Sequence, residues 1–182
     1  MSEALWAVGR ASGVVLLVLM TATLLLGVLT RSGRRVLLPR FGVALLHRNV
    51  ALLSVVFLAV HVLTMVLDSS AKLSLIDLVV PFRTAANPFW YGLGTVALDL
   101  AVAVTVTALL RHRIGVRAFK AVHWTAYLLW PMALLHALGS GSDAKAVLIT
   151  GGLCGLAVAA AVVWRISDRF VEHRSARQAA LR

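Results

Sequence analysis

The sequence predicts an all-α membrane protein, a five-transmembrane-helix bundle with its N-terminus outside the cell and its C-terminus in the cytoplasm. Two observations carry this prediction. Of the 182 residues, 60% are hydrophobic and only 14% are charged, whereas soluble domains are about 45–50% apolar and about 25% charged. The apolar residues are also gathered into five stretches that are long enough to cross a bilayer, which takes about 20 residues of helix.

The five predicted spans show no internal repeat and form a single domain over residues 1–182. The first span is too long for the apolar core of a signal peptide and has no obvious cleavage site, so we interpret it as a retained helix. The single cysteine, Cys154, lies in the fifth span and excludes an intrachain disulfide. The spans are Ala11–Thr30, Ala44–Leu67, Phe89–Leu110, Ala118–Leu138 and Ala146–Trp164.

Positive charges alternate from one loop to the next. Fourteen of the 18 Lys and Arg residues follow or flank the gaps after the first, third and fifth spans, and four lie elsewhere. Because Lys and Arg are enriched in cytoplasmic loops, this pattern places those three segments inside and predicts a multi-pass protein of the cell (plasma) membrane. The net charge of +11 is explained by topology and by contact with the lipid bilayer, so we expect no nucleic-acid partner.

Four histidines lie inside the second and fourth spans. His47 and His61 are 14 residues apart, and His123 and His136 are 13 residues apart. Ionisable side chains within a span are rare, and each is a functional candidate by default. The two spans run parallel because one span separates them. The histidines therefore pair by depth, His47 with His123 near the cytoplasm and His61 with His136 near the outside, about 20 Å apart at 1.5 Å per residue.

Each pair is suited to hold one haem iron between two helices, because neutral imidazole is a common haem ligand. We predict two non-covalent haem b groups, since the sequence has no C-x-x-C-H attachment motif. A single histidine in a span is often only an interhelical hydrogen bond, but four histidines matched by depth are poorly explained in that way. A non-haem metal site would need its ligands at one depth and would usually recruit carboxylates or cysteines.

Ideal helix geometry places His47 and His61 on one helix face but does not do so for His123 and His136. Fourteen residues make nearly four turns, so His47 and His61 share a face. Thirteen residues of ideal helix would turn His136 well away from the face of His123. Pro131 lies between these two residues, and because an interior proline kinks a helix, we expect a local distortion there to re-aim His136.

Three arginines are candidate cofactor-binding residues, because haem propionates are anions that need cationic partners. Arg48 directly follows a candidate ligand, and Arg10 and Arg83 lie on the outer side. Topology and lipid anchoring are the alternative roles. Asp99, near the middle of the third span, is predicted either to contact a neighbouring helix or to serve proton movement or haem tuning.

Two further segments have open interpretations. Residues 70–82 are predicted to form either a short interfacial helix over the outer haem or a plain loop. The basic tail that begins at Arg165 is predicted to be a solvated helical extension, with a docking surface for an electron donor as a further role.

The four histidines and their neighbours resemble a known family. The stretches His47-Arg48-Asn49, His61-Val62-Leu63, His123-Trp124 and Leu135-His136-Ala137 are similar to the ferric reductase-like transmembrane domain. NADPH oxidases, ferric reductases and the haem subunit of the bacterial periplasmic methionine-sulfoxide reductase system share this domain. The resemblance covers roughly Arg10 to Trp164. It implies a helical bundle in which two b haems pass electrons from a cytoplasmic donor to an extracytoplasmic acceptor.

The sequence departs from the family in two ways. Many relatives have six spans, whereas five are predicted here, so we expect one N-terminal span of those relatives to be absent. The oxidases and eukaryotic ferric reductases continue into a flavin and nicotinamide domain, whereas this sequence ends 18 residues after Trp164 without a glycine-rich phosphate loop. We therefore expect no catalytic residue and a separate flavoprotein, flavin or quinol as donor. A quinol-linked cytochrome b subunit of a larger membrane oxidoreductase is one alternative, and a non-redox transporter or structural subunit is another.

Overall fold

In the computed structural model, six α-helices make up most of the described chain, which comprises residues 2–32, 38–69, 71, 73–84, 87–140, 144–167, 169–170 and 172. A four-residue 3-10 helix, Leu75–Leu78, precedes the third α-helix. The prediction of an all-α protein is confirmed for these residues. The helices are α1 (Ser2–Arg31), α2 (Arg40–Leu67), α3 (Pro88–Leu109), α4 (Arg111–Trp124), α5 (Ala126–Ser140) and α6 (Ala144–Ile166).

Four of the described helices, α1, α2, α3 and α6, are long and apolar enough to cross a membrane. They coincide with the first, second, third and fifth predicted spans, so the chain is a multi-pass membrane protein. The predicted fourth span, Ala118–Leu138, is divided between α4 and α5, which have 14 and 15 residues. Neither reaches the length of a span by itself, and the count of five spans stays a prediction.

The division between α4 and α5 lies at Thr125. The backbone N–H and the Oγ1 hydroxyl of Thr125 both donate to the carbonyl of Val122, at 2.9 and 2.7 Å. Both bonds compete with the regular helical bond to the carbonyl four residues earlier, and the two helices are divided at this residue. α5 runs through Pro131 without a break. α4 and α5 are therefore divided beside His123, whereas the predicted distortion at Pro131 stays a prediction.

The helices pack in two groups around an open interior. α1 lies along α2, and α3 lies along α5 and contacts α4. α1 also contacts α5 and α6 and thereby joins the two groups. The buried indole of Trp130 on α5 donates through Nε1 to Thr21 Oγ1 on α1 at 2.9 Å. It packs in a core cluster with Leu17, Cys154 and Val158.

In the segment between α2 and α3, Leu75–Leu78 form a 3-10 helix, and the other described residues form turns and irregular structure. The two predicted alternatives, an interfacial helix over the outer haem and a plain loop, both stay predictions, and Ser70 and Lys72 lie outside the described residues. The 3-10 helix begins with a capping box between Ser74 and Asp77, in which the Ser74 backbone N–H donates to Asp77 Oδ2 at 2.9 Å. The Ser74 hydroxyl also donates to Asp77 Oδ2, at 2.6 Å. These bonds favour the charged carboxylate and hold the pKa of Asp77 below its ordinary value, with a smaller contribution from the charge of Arg83. Thr95 on α3 donates to the carbonyl of Asp77 at 2.8 Å and fixes the segment to the bundle.

Candidate functional site

The structure brings the four histidines together in two pairs, matched by depth. The ring centres of His47 on α2 and His123 on α4 are 6.3 Å apart. The ring centres of His61 on α2 and His136 on α5 are also 6.3 Å apart. In both pairs the two ring planes are nearly perpendicular, at 79° and 78°. Two separate pairs of helical positions therefore share one geometry.

The distance of 6.3 Å between ring centres suits two imidazoles on opposite sides of one metal ion. A metal–nitrogen bond of about 2.0–2.1 Å on each side, with about 1.1 Å from each nitrogen to its ring centre, adds to about 6.3 Å. The same distance also suits an edge-to-face contact between two rings. Hydrogen bonding at the ring nitrogens shows which nitrogens are available to bind a metal ion.

Three of the four rings donate from Nδ1 to a backbone carbonyl. Because a carbonyl only accepts, Nδ1 carries the proton in these neutral rings and Nε2 keeps its lone pair. Within the described residues, no hydrogen bond uses Nε2 of any of the three. Metal-bound histidines usually donate their other N–H in this way. The acceptors are Thr23 for His47 at 2.9 Å, Gly9 for His61 at 2.7 Å and Trp90 for His136 at 2.9 Å.

His123 differs from the other three. Its Nδ1 is buried and has no hydrogen-bond partner in the described part of the chain. The ring lies beside Phe119, with 5.1 Å between the ring centres. The inner pair is therefore asymmetric, because only His47 is held through Nδ1.

The protein supplies two ligands at each position and no larger ligand cluster. Among the described residues, no group of three or more His, Cys, Asp or Glu side chains is placed to hold a metal ion. A protein zinc site typically uses three or four such ligands. Two axial imidazoles instead suit an iron whose remaining ligands belong to a macrocycle, so the residues present fit haem.

A cavity of about 540 Å³ surrounds the outer pair. Its walls include His61 and His136 and side chains from α1, α2, α3, α5 and α6, most of them apolar. Pockets for cofactors and ligands of comparable size have volumes of roughly 300–1,000 Å³. The space between the two helix groups is therefore large enough for a flat prosthetic group.

Only one of the three predicted arginines lies in this cavity wall. Arg10 lines the cavity, and its guanidinium lies 4.4 Å from the centre of the Trp6 ring. Arg48 and Arg83 are exposed, and neither lines the cavity. Asp99 is exposed on α3, and within the described residues it forms no hydrogen bond, so the predicted polar contact with a neighbouring helix is not formed.

One feature of the end near His123 was missed by sequence reasoning. Arg165 on α6 donates to the Tyr127 hydroxyl, and its guanidinium lies 4.8 Å from the centre of the Trp124 ring. These contacts tie the end of α6 to the break between α4 and α5, directly beside His123. The sequence signal was a cation and two aromatic residues at one predicted depth. The predicted helical extension falls mostly on residues 173–182, outside the described residues, and α6 ends at Ile166.

Comparison with known proteins gives one match. A family model described as "Ferric reductase like transmembrane component" matches residues 12–134, which is more than half of the chain. The matched region contains His47, His61 and His123, and His136 lies two residues beyond it. No curated protein and no solved structure matches the chain.

Proposed function

The chain belongs to the family of ferric reductase like transmembrane components, and from this premise we propose that it carries electrons across the membrane through two haem b groups. Membership of the family indicates a membrane domain that binds haem and transfers electrons. The observation that carries the finer proposal is the repeated histidine geometry. Both pairs have the same ring separation of 6.3 Å, and three of the rings keep Nε2 available for iron.

The two haems are assigned by depth. His47 and His123 would hold the inner haem, and His61 and His136 the outer one. Bound haem supplies a one-electron ferric–ferrous couple. The histidines would hold the haem through Nε2, and the backbone carbonyls that accept from Nδ1 of His47, His61 and His136 would orient these rings. These outer contacts would tune the potential.

Three arginines are the proposed partners of the haem propionates, and each is assigned by where it lies in the structure. Arg10 is the proposed partner at the outer haem, because its side chain lines the cavity around His61 and His136. Arg48 is proposed for the inner haem and Arg83 for the outer surface. Their exposure is compatible with propionates that point toward the membrane surface.

We also propose that α4 and α5 together cross the membrane as one broken span, which restores the five spans predicted from the sequence. The N-terminus then lies outside, the C-terminus lies in the cytoplasm, and the chain is one domain of the plasma membrane. The alternation of basic loops supports this orientation. It places the break at Thr125 close to the inner haem.

Electrons would enter from a separate flavoprotein, reduced flavin or quinol on the cytoplasmic side and leave to an extracytoplasmic acceptor. Four exposed basic residues precede His123 on α4, and they would attract an acidic or anionic donor. They are Arg111, Arg113, Arg117 and Lys120.

The proposal is tested by the spectrum and haem content of the purified full-length protein. We expect about two haem groups per chain with b-type absorbance in the reduced-minus-oxidised spectrum. Acid acetone should extract all of them, because the sequence has no motif for covalent attachment. A colourless preparation, or haem that stays on the polypeptide, refutes the assignment.

A further inference from the structure

Three histidine rings rest on the same local arrangement, which we call a ring seat. A ring seat is a backbone carbonyl that accepts the Nδ1 proton, together with a glycine four residues later on the same helix. The seats are Gly9 with Gly13 for His61, Thr23 with Gly27 for His47, and Trp90 with Gly94 for His136.

The glycine of each seat lies where the ring passes. Side chains of a helix tilt toward its N-terminus, so a side chain at position i+4 would stand over the carbonyl of residue i. A β-carbon built at Gly94 lies 2.7 Å from both Nδ1 and Cε1 of His136. At Gly13 it lies 3.0 Å from Cε1 of His61, and at Gly27 it lies 3.3 Å from Cε1 of His47.

These distances rank the seats by how much space a methyl group would take from the ring. At 2.7 Å the ring of His136 must move, because no real β-carbon contact is that short. At 3.0 Å the ring of His61 must shift slightly, and at 3.3 Å the ring of His47 has almost enough room. The backbone beneath each ring is part of a helix and gives way less easily than the imidazole.

The seats repeat with the spacing of the histidines. Gly13 and Gly27 on α1 are 14 residues apart, as are His47 and His61 on α2. Both separations are nearly four helical turns, so two antiparallel helices present matching positions. On α3 the residue 14 positions after Gly94 is Ala108, and the remaining histidine, His123, is the one whose Nδ1 has no partner among the described residues.

We propose that Gly13, Gly27 and Gly94 are positioning residues for the axial ligands, an inference that rests on the proposed haem function. Each glycine lets a ring reach the carbonyl of the preceding turn. The resulting hydrogen bond fixes the tautomer and the ring orientation and raises the basicity of Nε2. The outer haem then has two seated ligands, whereas the inner haem has one.

The test replaces each glycine by alanine in the full-length haem-loaded protein. In Gly94→Ala the His136 ring is displaced from the Trp90 carbonyl, and a less basic ligand stabilises ferric iron less, so the potential of the outer haem should rise. We expect the ratio of reduced to oxidised outer haem at a fixed potential to rise, and each tenfold rise corresponds to about 59 mV for one electron. Gly13→Ala should shift the same haem by less, and Gly27→Ala should shift the inner haem by the smallest amount.

The matched control is Gly152→Ala on α6, where a β-carbon would have no atom within 4 Å. The measurements are redox titration of each haem and the electron paramagnetic resonance spectrum of the ferric protein. Haem-selective shifts in the order given, with no shift in the control, support ring seats.

An unchanged potential and spectrum in fully loaded Gly94→Ala would overturn the inference, and so would equal shifts of both haems. If Gly94→Ala does not retain the outer haem, the milder Gly13→Ala decides by the same criteria. Absence of haem from the unmodified protein refutes the proposed function instead, so the two failures are distinguishable.

Discussion

Removing one histidine of a pair should cost one whole haem and leave the other intact. The two rings of the outer pair, His61 and His136, have centres 6.3 Å apart, so either substitution leaves the iron with a single axial ligand in the same cavity. His61→Ala, His136→Ala and the double variant should therefore all reduce the haem content from about two per chain to about one. The second substitution should add almost nothing to the first.

The inner haem should be unaffected because it is far away. His47 and His61 are 14 residues apart, which is a rise of about 21 Å along α2 at 1.5 Å per residue. Effects at sites more than about 7–10 Å apart are usually additive. Combining His61→Ala with His47→Ala should therefore remove both haems.

The assay is haem quantification together with a redox titration of the reduced-minus-oxidised spectrum. His112→Ala serves as control, because His112 is exposed and lies in the basic segment, so its loss should change neither haem. The two outer variants should lose the same spectral component, and His47→Ala and His123→Ala should lose the other. If His47→Ala instead resembled His136→Ala, the pairing by depth would be refuted.

Three further predictions concern the donor, the core and the outer segment. NADPH alone should not reduce the haems. A flavin reductase or reduced flavin should reduce them, at a rate that falls as the salt concentration rises. Fast reduction by quinol alone would instead favour the quinol-linked cytochrome. Charge reversal of three exposed arginines, Arg111, Arg113 and Arg117, should slow this reduction without removing haem. Unchanged kinetics would argue against electrostatic attraction of the donor. Trp130→Phe removes the hydrogen bond to Thr21 and should lower the free energy of unfolding by about 0.5–1.5 kcal/mol. In a Thr21→Val background the same substitution should have little further effect. Fully additive effects of the two substitutions in thermal unfolding would contradict the contact. The lowered pKa of Asp77 means that its stabilising effect is present above its ordinary pKa of 3.8 and is lost as the pH falls through the folded value. Asp77→Asn should remove that part of the acid sensitivity, and identical pH profiles of thermal unfolding would count against the capping box.

The sequence was sufficient for the features that depend on composition and spacing. Long apolar stretches gave α1, α2, α3 and α6, because a bilayer requires a minimum length of helix. The depth pairing followed from the parallel direction of two spans and from the rise per residue. Both inferences use only distances along a helix, which a sequence specifies directly.

The break in the fourth span shows where such reasoning fails. Pro131 is the residue at which the sequence predicts a distortion, because a proline lacks a backbone N–H donor. The helix α5 nevertheless continues through Pro131 without interruption. The actual break depends on a hydroxyl, that of Thr125, which binds the carbonyl of Val122 in competition with the helix. A threonine has the same sequence signal whether its hydroxyl makes this bond or not, so its position alone did not predict the division between α4 and α5.

The ring seats show a different limit. Gly13, Gly27 and Gly94 are visible in the sequence, yet a glycine in a helix has many explanations. Its role here depends on which ring crosses it, and that is known only when α1 is placed beside α2 and α3 beside α5. The same holds for Arg10, since three arginines had similar sequence signals and only this one lines the cavity.

The two ends of the bundle consequently hold their candidate ligands in different ways. At the outer end both rings are seated, and the 3-10 helix is fixed to α3 through Thr95. At the inner end His123 lies on a short helical segment between Gly115, whose φ of 81° interrupts α4, and the break at Thr125. The position of His123 therefore depends on the contacts of that segment, including the cation–π contacts of Arg165 with the rings of Trp124 and Tyr127. In the proposed direction of electron transfer, the less constrained ligand thus lies beside the exposed basic residues where the donor would dock, and the fully seated pair lies on the side where electrons would leave.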